Sequence, residues 1–183
     1  LRMYEYERIR EAEYQMDFWL EEKSRSLNCR MRIVNHTDQV IPMYWWSNMA
    51  VPEYPSGQII VPAATAYTCK NWEVYKVNVP EVDGNNIFHY ESIPDQIDYF
   101  FDIPYECPKY IANVNKDGYG LLQTSTRRLR ARKLFSWGHN EGSDRWQHFL
   151  TEDAGPYIEI QAGLGKTQYG CLPMAPHTAW EWL

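Results

Sequence analysis

No segment of this 183-residue sequence could form a membrane-spanning helix, because it lacks any apolar run of the required length, roughly 18–20 residues. It also lacks a basic segment followed by an apolar one, which is the pattern of a secretory signal peptide. We therefore predict a cytoplasmic protein with no membrane partner. The first residue is Leu1 rather than methionine, so we expect the sequence to be part of a longer chain.

Closely spaced cysteines are also missing. The four cysteines are Cys29, Cys69, Cys107 and Cys171, and no two of them form a Cys-x-x-Cys pair. Structural zinc sites usually take their ligands from such close pairs, and a disulfide framework requires an oxidising compartment. We therefore predict reduced thiols, no metal site and no cofactor.

Basic residues are fewer than acidic residues. The chain has 18 lysines and arginines against 24 acidic residues, which gives a formal net charge of −6. Nucleic acids and anionic membranes bind proteins through a positively charged face. The composition therefore predicts no nucleic-acid partner and is compatible with a neutral or cationic ligand.

Aromatic residues, by contrast, are abundant. They make up 15% of the chain, and eight of them are tryptophans, more than a core of this size needs. The apolar fraction of 44% is typical of a globular domain. The excess of large rings therefore suggests a surface that binds a ligand.

Alternation of polar and apolar residues predicts a series of short strands. The segments with this pattern are 13–19, 29–34 and 157–161, and 99–103, 111–114 and 120–126 are also predicted to be short strands. Segment 128–135 fits either a helix or a strand, and turns are predicted at 83–86 and 116–118, where Asp, Asn and Gly cluster.

Helices are predicted at only two places, 4–12 and 144–150. Many short strands separated by turn signals are typical of a β-sandwich. We therefore predict an all-β fold.

A first candidate site lies in segment 42–53, which places Trp45 and Trp46 beside Asn48 and Glu53. Sugars stack their flat C–H faces on aromatic rings and bind amides and carboxylates through their hydroxyl groups, so this composition suits a carbohydrate. Adjacent residues of a strand point to opposite faces, so at most one of the two tryptophans can line a given groove. The alternative is that both tryptophans are core residues.

A second candidate is segment 135–147, where two glycines bracket His139 in a predicted loop and Trp146 lies near its end. His139 could act as an acid or base near neutral pH. The alternative is an exposed loop histidine without a role.

A third candidate is the strand predicted at 157–161, in which Glu159 and Gln161 lie on the same face. A carboxylate held among apolar residues has a raised pKa and can act as a general base. The alternative is a polar strand face in water.

The basic segment 127–133, which contains Arg130, could bind a phosphate or a carboxylate. A solvated strand face paired with nearby acids is the interpretation that we favour for it.

Several motifs resemble a family of bacterial proteins that carry a domain of unknown function, commonly followed by TPR repeats. These motifs are VNHTD at 34–38, YWWSNMAVPE at 44–53, GLLQTST at 120–126, RKLFSWG at 132–138, WQ at 146–147, YIEIQAGL at 157–164 and WEW at 180–182. That family is similar to the galactose mutarotase-like β-sandwich, or supersandwich. The resemblance implies one domain over 1–183 that covers the C-terminal half to two-thirds of the fold and lacks its N-terminal strands.

The resemblance also implies a sugar-binding concave sheet. Aldose mutarotases use a glutamate base in a Leu-Glu-x-Gln motif, which segment 158–161 resembles, so Glu159 is the implied base. Their histidine acid lies four residues before an asparagine, and aligning that asparagine with Asn48 places Tyr44 at the histidine position. The acid could therefore be Tyr44 or His139.

Two functions remain open at this point, beside a third possibility that this sequence is an inert fragment whose missing part completes the site. The first is a carbohydrate-binding domain that uses Glu159 as a base or hydroxyl acceptor and performs anomer interconversion, related chemistry or binding alone. The second is a non-catalytic module that binds a glycan or a protein within a larger TPR-containing protein. Because an incomplete sandwich exposes strand edges, we also expect self-association through them.

Overall fold

The chain folds almost entirely into antiparallel strands. The computed structural model describes residues 1–152 and 154–183. Its elements in chain order are β1 (Arg2–Glu7), β2 (Ala12–Leu20), β3 (Leu27–Asn35), β4 (Ile41–Met43), β5 (Trp46–Pro52), β6 (Gln58–Ile60), β7 (Thr65–Lys70), β8 (Glu73–Asn78), β9 (Glu81–Val82), β10 (Asn85–Asn86), a 3₁₀ turn (Tyr90–Ser92), β11 (Ile97–Phe101), β12 (Lys109–Val114), β13 (Gly120–Ser125), β14 (Ala131–Ser136), α1 (Glu141–Thr151), β15 (Tyr157–Gly163), β16 (Leu172–Met174) and β17 (Thr178–Trp182). The prediction of an all-β fold is confirmed.

Two sheets dominate the architecture. One has six strands in the order β5-β15-β14-β11-β7-β8, and the other has four in the order β1-β2-β3-β17. A three-stranded sheet, β13-β12-β6, and the pairs β16-β4 and β10-β9 complete the described part of the fold.

The six-stranded sheet buries one of its faces, which we call the inner face. Along β15, Ile158 and Ile160 contribute to a core that also contains Ile59 of β6 and Ile111 of β12. Ala162 contributes to a second core, shared with residues of the four-stranded sheet. Alternate residues of β15 must therefore point to the opposite face, which we call the site face.

Segment 128–135, which fits either a helix or a strand, proves to be strand β14 from residue 131 onward. The prediction that its basic residues are solvated is wrong for Arg132 and Lys133, which are both buried. Arg132 points to the inner side and donates to the carbonyls of Leu129 and Lys109 and to the hydroxyl of Ser125. Burial lowers the pKa of its guanidinium to about 10.

The prediction of a helix at 4–12 is wrong, because this segment belongs to the β1–β2 hairpin. Glu7 pairs with Ala12 in its register, and Arg2 of β1 bonds to Asp17 of β2 at 2.6 Å. Cross-strand pairing thus decides the conformation of a segment whose own sequence also suits a helix.

The helix predicted at 144–150 is confirmed as part of α1. It begins after Asn140, whose side-chain oxygen accepts a hydrogen bond from the backbone of Ser143 at 2.9 Å. Gly142 therefore belongs to the helix, and the predicted loop ends two residues earlier. Within the described residues, no helix has the length and apolar character needed to cross a membrane.

Candidate functional site

Glu159 lies on the site face and is held there by two amides. Its Oε2 accepts hydrogen bonds from Asn48 Nδ2 at 2.7 Å and from Gln161 Nε2 at 2.8 Å. Gln161 shares the face because it is two residues further along β15, and Asn48 pairs with Gln161 in the β5–β15 register. Strand pairing therefore assembles three predicted site residues that come from two distant motifs.

The hydrogen bonds continue across the sheet from Gln161 to a buried lysine. Gln161 Oε1 accepts from Gln168 Nε2 at 2.7 Å, and Gln168 Oε1 accepts from Lys133 Nζ at 2.7 Å. Lys133 Nζ also lies 2.6 Å from Asp98 Oδ1, in an ion pair that lacks the angles of a hydrogen bond. A polar network thus spans β5, β15, β14 and β11.

Aromatic rings border this network at one end. Trp46 of β5 lies against Gly163, whose missing side chain leaves room for the indole: a Cβ there would be 2.2 Å from Trp46 Cε2. The Trp46 ring meets Phe100 edge to face at 5.7 Å between centroids, and Phe100 meets Tyr169 at 5.8 Å.

More rings border its other end. Phe135 meets Trp137 at 4.9 Å between centroids, and Trp137 meets Tyr157 at 6.0 Å. The indole N–H groups of Trp46 and Trp137 are buried without a hydrogen-bond partner in the described residues. The site face therefore combines two carboxylates, three amides and an ammonium group with apolar rings on both sides.

Sequence reasoning missed Lys133, Asp98, Gln168 and Tyr169. Lys133 lies directly opposite Gln161 in the β14–β15 register, which the amino-acid sequence does not display. The one local signal is the alternation in β14, which places Lys133 and Phe135 on the same face once the segment is known to be a strand.

His139 is not part of this network and pairs with Glu53 instead. His139 Nε2 lies 3.4 Å from Glu53 Oε1, and the Glu53 side chain is only 7% exposed. Glu159 pairs with Ala50 in the β5–β15 register, and Glu53 comes three residues after Ala50. Three residues correspond to about 10 Å along a strand. The two ionisable groups predicted to act together are therefore well apart.

Burial raises the pKa of the Glu53 carboxyl. The neighbouring His139 partly offsets this effect, whereas Glu91 and Asp144 add to it. Glu53 and His139 thus form an acid–base pair of their own beyond the end of β5.

Tyr44 and Trp45 lie away from Glu159. The Arg10 guanidinium lies over the Tyr44 ring at 5.7 Å, and burial, followed by the nearby Cys171, raises the pKa of the Tyr44 hydroxyl. Trp45 packs in the second core against Tyr14, at 5.7 Å between ring centroids. Of the two adjacent tryptophans, only Trp46 reaches the site face, as strand alternation requires.

Trp146 and Arg130 also lie outside the network. Trp146 projects from α1 with 57% of its surface exposed and meets Phe149 at 5.9 Å. Arg130 is exposed just before β14 and lines a small cavity together with Lys166 and Asp102. Among the described residues, no group of three or more His, Cys, Asp or Glu side chains could hold a metal ion.

Solved structures of several proteins are similar to this chain. A TPR-domain containing protein from Parabacteroides distasonis is 23% identical, with a TM-score of 0.81 over 99% of this chain and 31% of its own. A protein from Escherichia coli K12 assigned as an aldose 1-epimerase is 10% identical, with a TM-score of 0.71 over 99% of this chain and 61% of its own. The Slr1438 protein from Synechocystis sp. PCC 6803 is 14% identical, with a TM-score of 0.66 over 99% of this chain and 58% of its own.

These similarities identify the fold as the mutarotase-like β-sandwich and confirm that prediction. This chain spans less than two-thirds of the length of each of the three proteins. A single domain over 1–183 that lacks N-terminal strands stays a prediction.

The family itself is identified from the sequence. The model of the domain of unknown function DUF5107 matches residues 4–176, which is nearly the whole chain. The chain belongs to the DUF5107 family.

Proposed function

We propose that this domain binds a carbohydrate on the site face, with Glu159 as the acceptor for sugar hydroxyl groups. The observation that carries the proposal is the fixed Glu159 carboxylate. Two amides bond to its Oε2, whereas its Oε1 has no hydrogen-bond partner among the described residues. A carboxylate with one oxygen fixed by protein donors and one available accepts a ligand hydroxyl without reorganisation.

The surroundings of Glu159 support the same ligand class. Asn48 and Gln161 add amide groups, and Trp46 is a half-buried ring on the same face. An apolar wall with a few placed polar groups is typical of small-molecule sites. The fold is shared with a protein assigned as an aldose 1-epimerase, which supports a sugar as the ligand.

Binding is favoured over anomer interconversion by the position of the histidine. Interconversion needs an acid and a base on one sugar ring, and general acid–base catalysis works at hydrogen-bond distance. His139 pairs with Glu53 instead, about 10 Å along the strand from Glu159. Turnover by Glu159 and His139 would therefore require another geometry in the ligand complex.

A protein-interaction module is the second candidate function, and the exposed face of α1 favours it. Trp146, Phe149 and Leu150 lie three and four residues apart, so they form one exposed apolar face of the helix. The similar Parabacteroides distasonis protein contains TPR domains, which makes a partner within a longer chain a reasonable expectation. Replacing Trp146 and Phe149 with serine would abolish such an interaction and leave sugar binding intact.

The primary test is a saturation-transfer NMR screen with mono- and oligosaccharides, on this chain and on the full-length protein. We expect at least one sugar to bind and the Glu159→Gln variant to lose that binding. The matched control is Glu181→Gln, which removes an exposed carboxylate paired with Arg30 on the four-stranded sheet. Polarimetry on the same variants distinguishes turnover from binding, and the proposal fails if no sugar binds either protein.

A further inference from the structure

We propose that a cavity at one end of the site face binds the anionic group of an acidic carbohydrate, a uronate carboxylate or a sugar phosphate. The inference rests on the proposed function and specifies the class of sugar. The cavity is lined by polar, aromatic and apolar side chains: Tyr67, Phe101, Asp102, Ile103, Arg130, Ala131 and Lys166.

The cavity continues the site face past Phe100. Asp102 is two residues after Phe100, and its backbone N–H donates to the Thr65 carbonyl at 2.9 Å, so strand pairing extends to it. Phe100 in turn pairs with Tyr67 and with Lys133. Asp102 and Tyr67 therefore lie on the same face as the network around Glu159.

The ammonium groups of two lysines lie close to both the Tyr67 ring and the Asp102 carboxylate. Lys76 Nζ lies 2.9 Å from Asp102 Oδ2, and Lys166 Nζ lies 3.6 Å from Asp102 Oδ1. The same two ammonium groups lie 5.5 Å and 5.7 Å from the centroid of the Tyr67 ring. Asp102 and the ring thus hold both lysines near the cavity.

Positive charge exceeds negative charge here. Lys76 and Lys166 both pair with the Asp102 carboxylate, and a third cation, Arg130, lines the same cavity and has no ion pair among the described residues. The chain as a whole carries a net charge of −6, so this local excess runs against its overall charge. An incoming carboxylate or phosphate would neutralise the excess through charge-assisted hydrogen bonds.

The size of the cavity limits what enters it. Its volume is about 30 Å³, two to three times the roughly 10–15 Å³ that one water molecule needs. It therefore has room for the oxygens of a small anionic group, and the sugar ring would lie outside it, on the site face beside Phe100.

The distance to Glu159 favours an oligosaccharide. Along β15, Glu159 is four residues, or about 13 Å, from Gly163. Across the sheet, β15 and β11 are two strands apart, or about 10 Å. A ligand that contacts both Glu159 and the cavity must therefore be longer than one sugar ring.

Titration calorimetry with matched ligands tests the proposal. One series compares galacturonate oligomers of one to four residues with neutral galactose oligomers of the same lengths, and another compares maltotriose that carries a 6-phosphate on a terminal residue with unmodified maltotriose. Acetate and inorganic phosphate serve as free anions. We expect the acidic member to bind about tenfold more tightly than the neutral one, with an advantage that shrinks in high salt. The arm that shows the larger advantage identifies the carboxylate or the phosphate as the anion.

Charge-removing variants locate the effect. We expect Arg130→Gln and Lys166→Gln each to lower the affinity for the acidic ligand about tenfold and to leave the affinity for the neutral ligand unchanged. Lys116→Gln, which removes an exposed lysine from the β12–β13 turn, is the matched control and should change neither.

The outcomes separate this inference from the proposed function. If neutral sugars bind in a Glu159-dependent way and the acidic ones have no advantage, the anion site is refuted and carbohydrate binding stands. If free phosphate or acetate binds as tightly as the acidic sugars and Glu159→Gln has no effect, the cavity is a simple anion site and both proposals fail. If no ligand of either series binds, both proposals also fail.

Discussion

Lys133 lies in an environment that its local sequence does not indicate. It belongs to a basic segment that indicates a solvated surface, yet its side chain is only 6% exposed and forms an ion pair with Asp98. Its ammonium also donates to Gln168, which links it to Gln161 and Glu159. The buried charge is tolerated because Asp98 and Gln168 supply the partners that water would otherwise supply.

Replacing Lys133 with methionine keeps most of the length of the side chain and removes the charge. We expect the free energy of unfolding to fall by about 2 kcal/mol, less than for a fully buried pair because water can still reach Asp98. Urea denaturation measures the change, with Lys116→Met as the control. In the double variant Lys133→Met with Asp98→Asn, part of the loss should be recovered. A loss no larger than that of the control would contradict the role assigned to this ion pair.

Glu53 predicts a specific dependence of stability on pH. Burial raises the pKa of its carboxyl above the ordinary value of 4.5, so the folded protein holds this proton more tightly than the unfolded chain. This tighter proton binding adds to the free energy of unfolding. Its contribution is therefore fully present below pH 4.5 and is lost as the pH rises through the pKa of Glu53 in the folded protein.

The variant Glu53→Gln lacks this titration. From about pH 4 to about pH 7, we expect the wild type to lose stability relative to Glu53→Gln in urea denaturation. Glu141→Gln, which removes an exposed carboxylate paired with Arg145, should show no such trend. A difference between wild type and Glu53→Gln that stays constant, or that grows in favour of the wild type, would refute this account.

At the scale of elements, β15 positions the site because it lies between β14 and β5 in the sheet. Ile158 and Ile160 anchor its inner face in the core, which fixes Glu159 and Gln161 on the site face. Gly163 near its end provides the space that the Trp46 ring occupies. The strand therefore specifies both the polar groups and the place of one aromatic wall.

Gly163→Ala tests this packing. The added Cβ would meet three atoms of the Trp46 ring at 2.2–2.6 Å, so the indole must shift. We expect a loss of about 1–3 kcal/mol in the free energy of unfolding and weaker binding of any sugar that stacks on Trp46. Gly170→Ala is the matched control, because a Cβ there meets no atom within 4 Å. Equal stability of the two variants would contradict the close packing of Trp46 on Gly163.

At the scale of the whole molecule, the four-stranded sheet ends in β1, which is an edge strand of the described residues. It carries the exposed apolar residues Met3, Tyr4 and Tyr6. An edge of this kind can pair with another chain, and a lysine on it opposes such pairing.

Self-association of this chain therefore stays a prediction with a direct test. We expect the sedimentation coefficient to rise with protein concentration, and we expect Tyr4→Lys to suppress the rise. Tyr119→Lys, which changes an exposed tyrosine outside the edge, is the control. A monomer at every concentration, or an equal effect of both substitutions, would refute association through β1.

Much of the fold was accessible from local patterns. Alternation predicted the strands around Glu159 and Met31, and turn residues predicted the ends of the β9–β10 and β12–β13 hairpins. These patterns work because a residue's burial on a half-buried strand depends mainly on its own face. They fail where a segment suits two conformations, as at 4–12, where pairing with β2 decides for a strand.

The amino-acid sequence by itself determined the all-β class, the family and the presence of Glu159 and Gln161 on one strand face. Only the tertiary structure decided that Asn48 joins them, that Trp46 rather than Trp45 faces the site, and that His139 pairs with Glu53. The physical reason is register: Asn48 and Gln161 are opposite each other across strands more than 100 residues apart in the chain. Such pairing is fixed by the packing of the whole sheet on its cores, which no local pattern encodes.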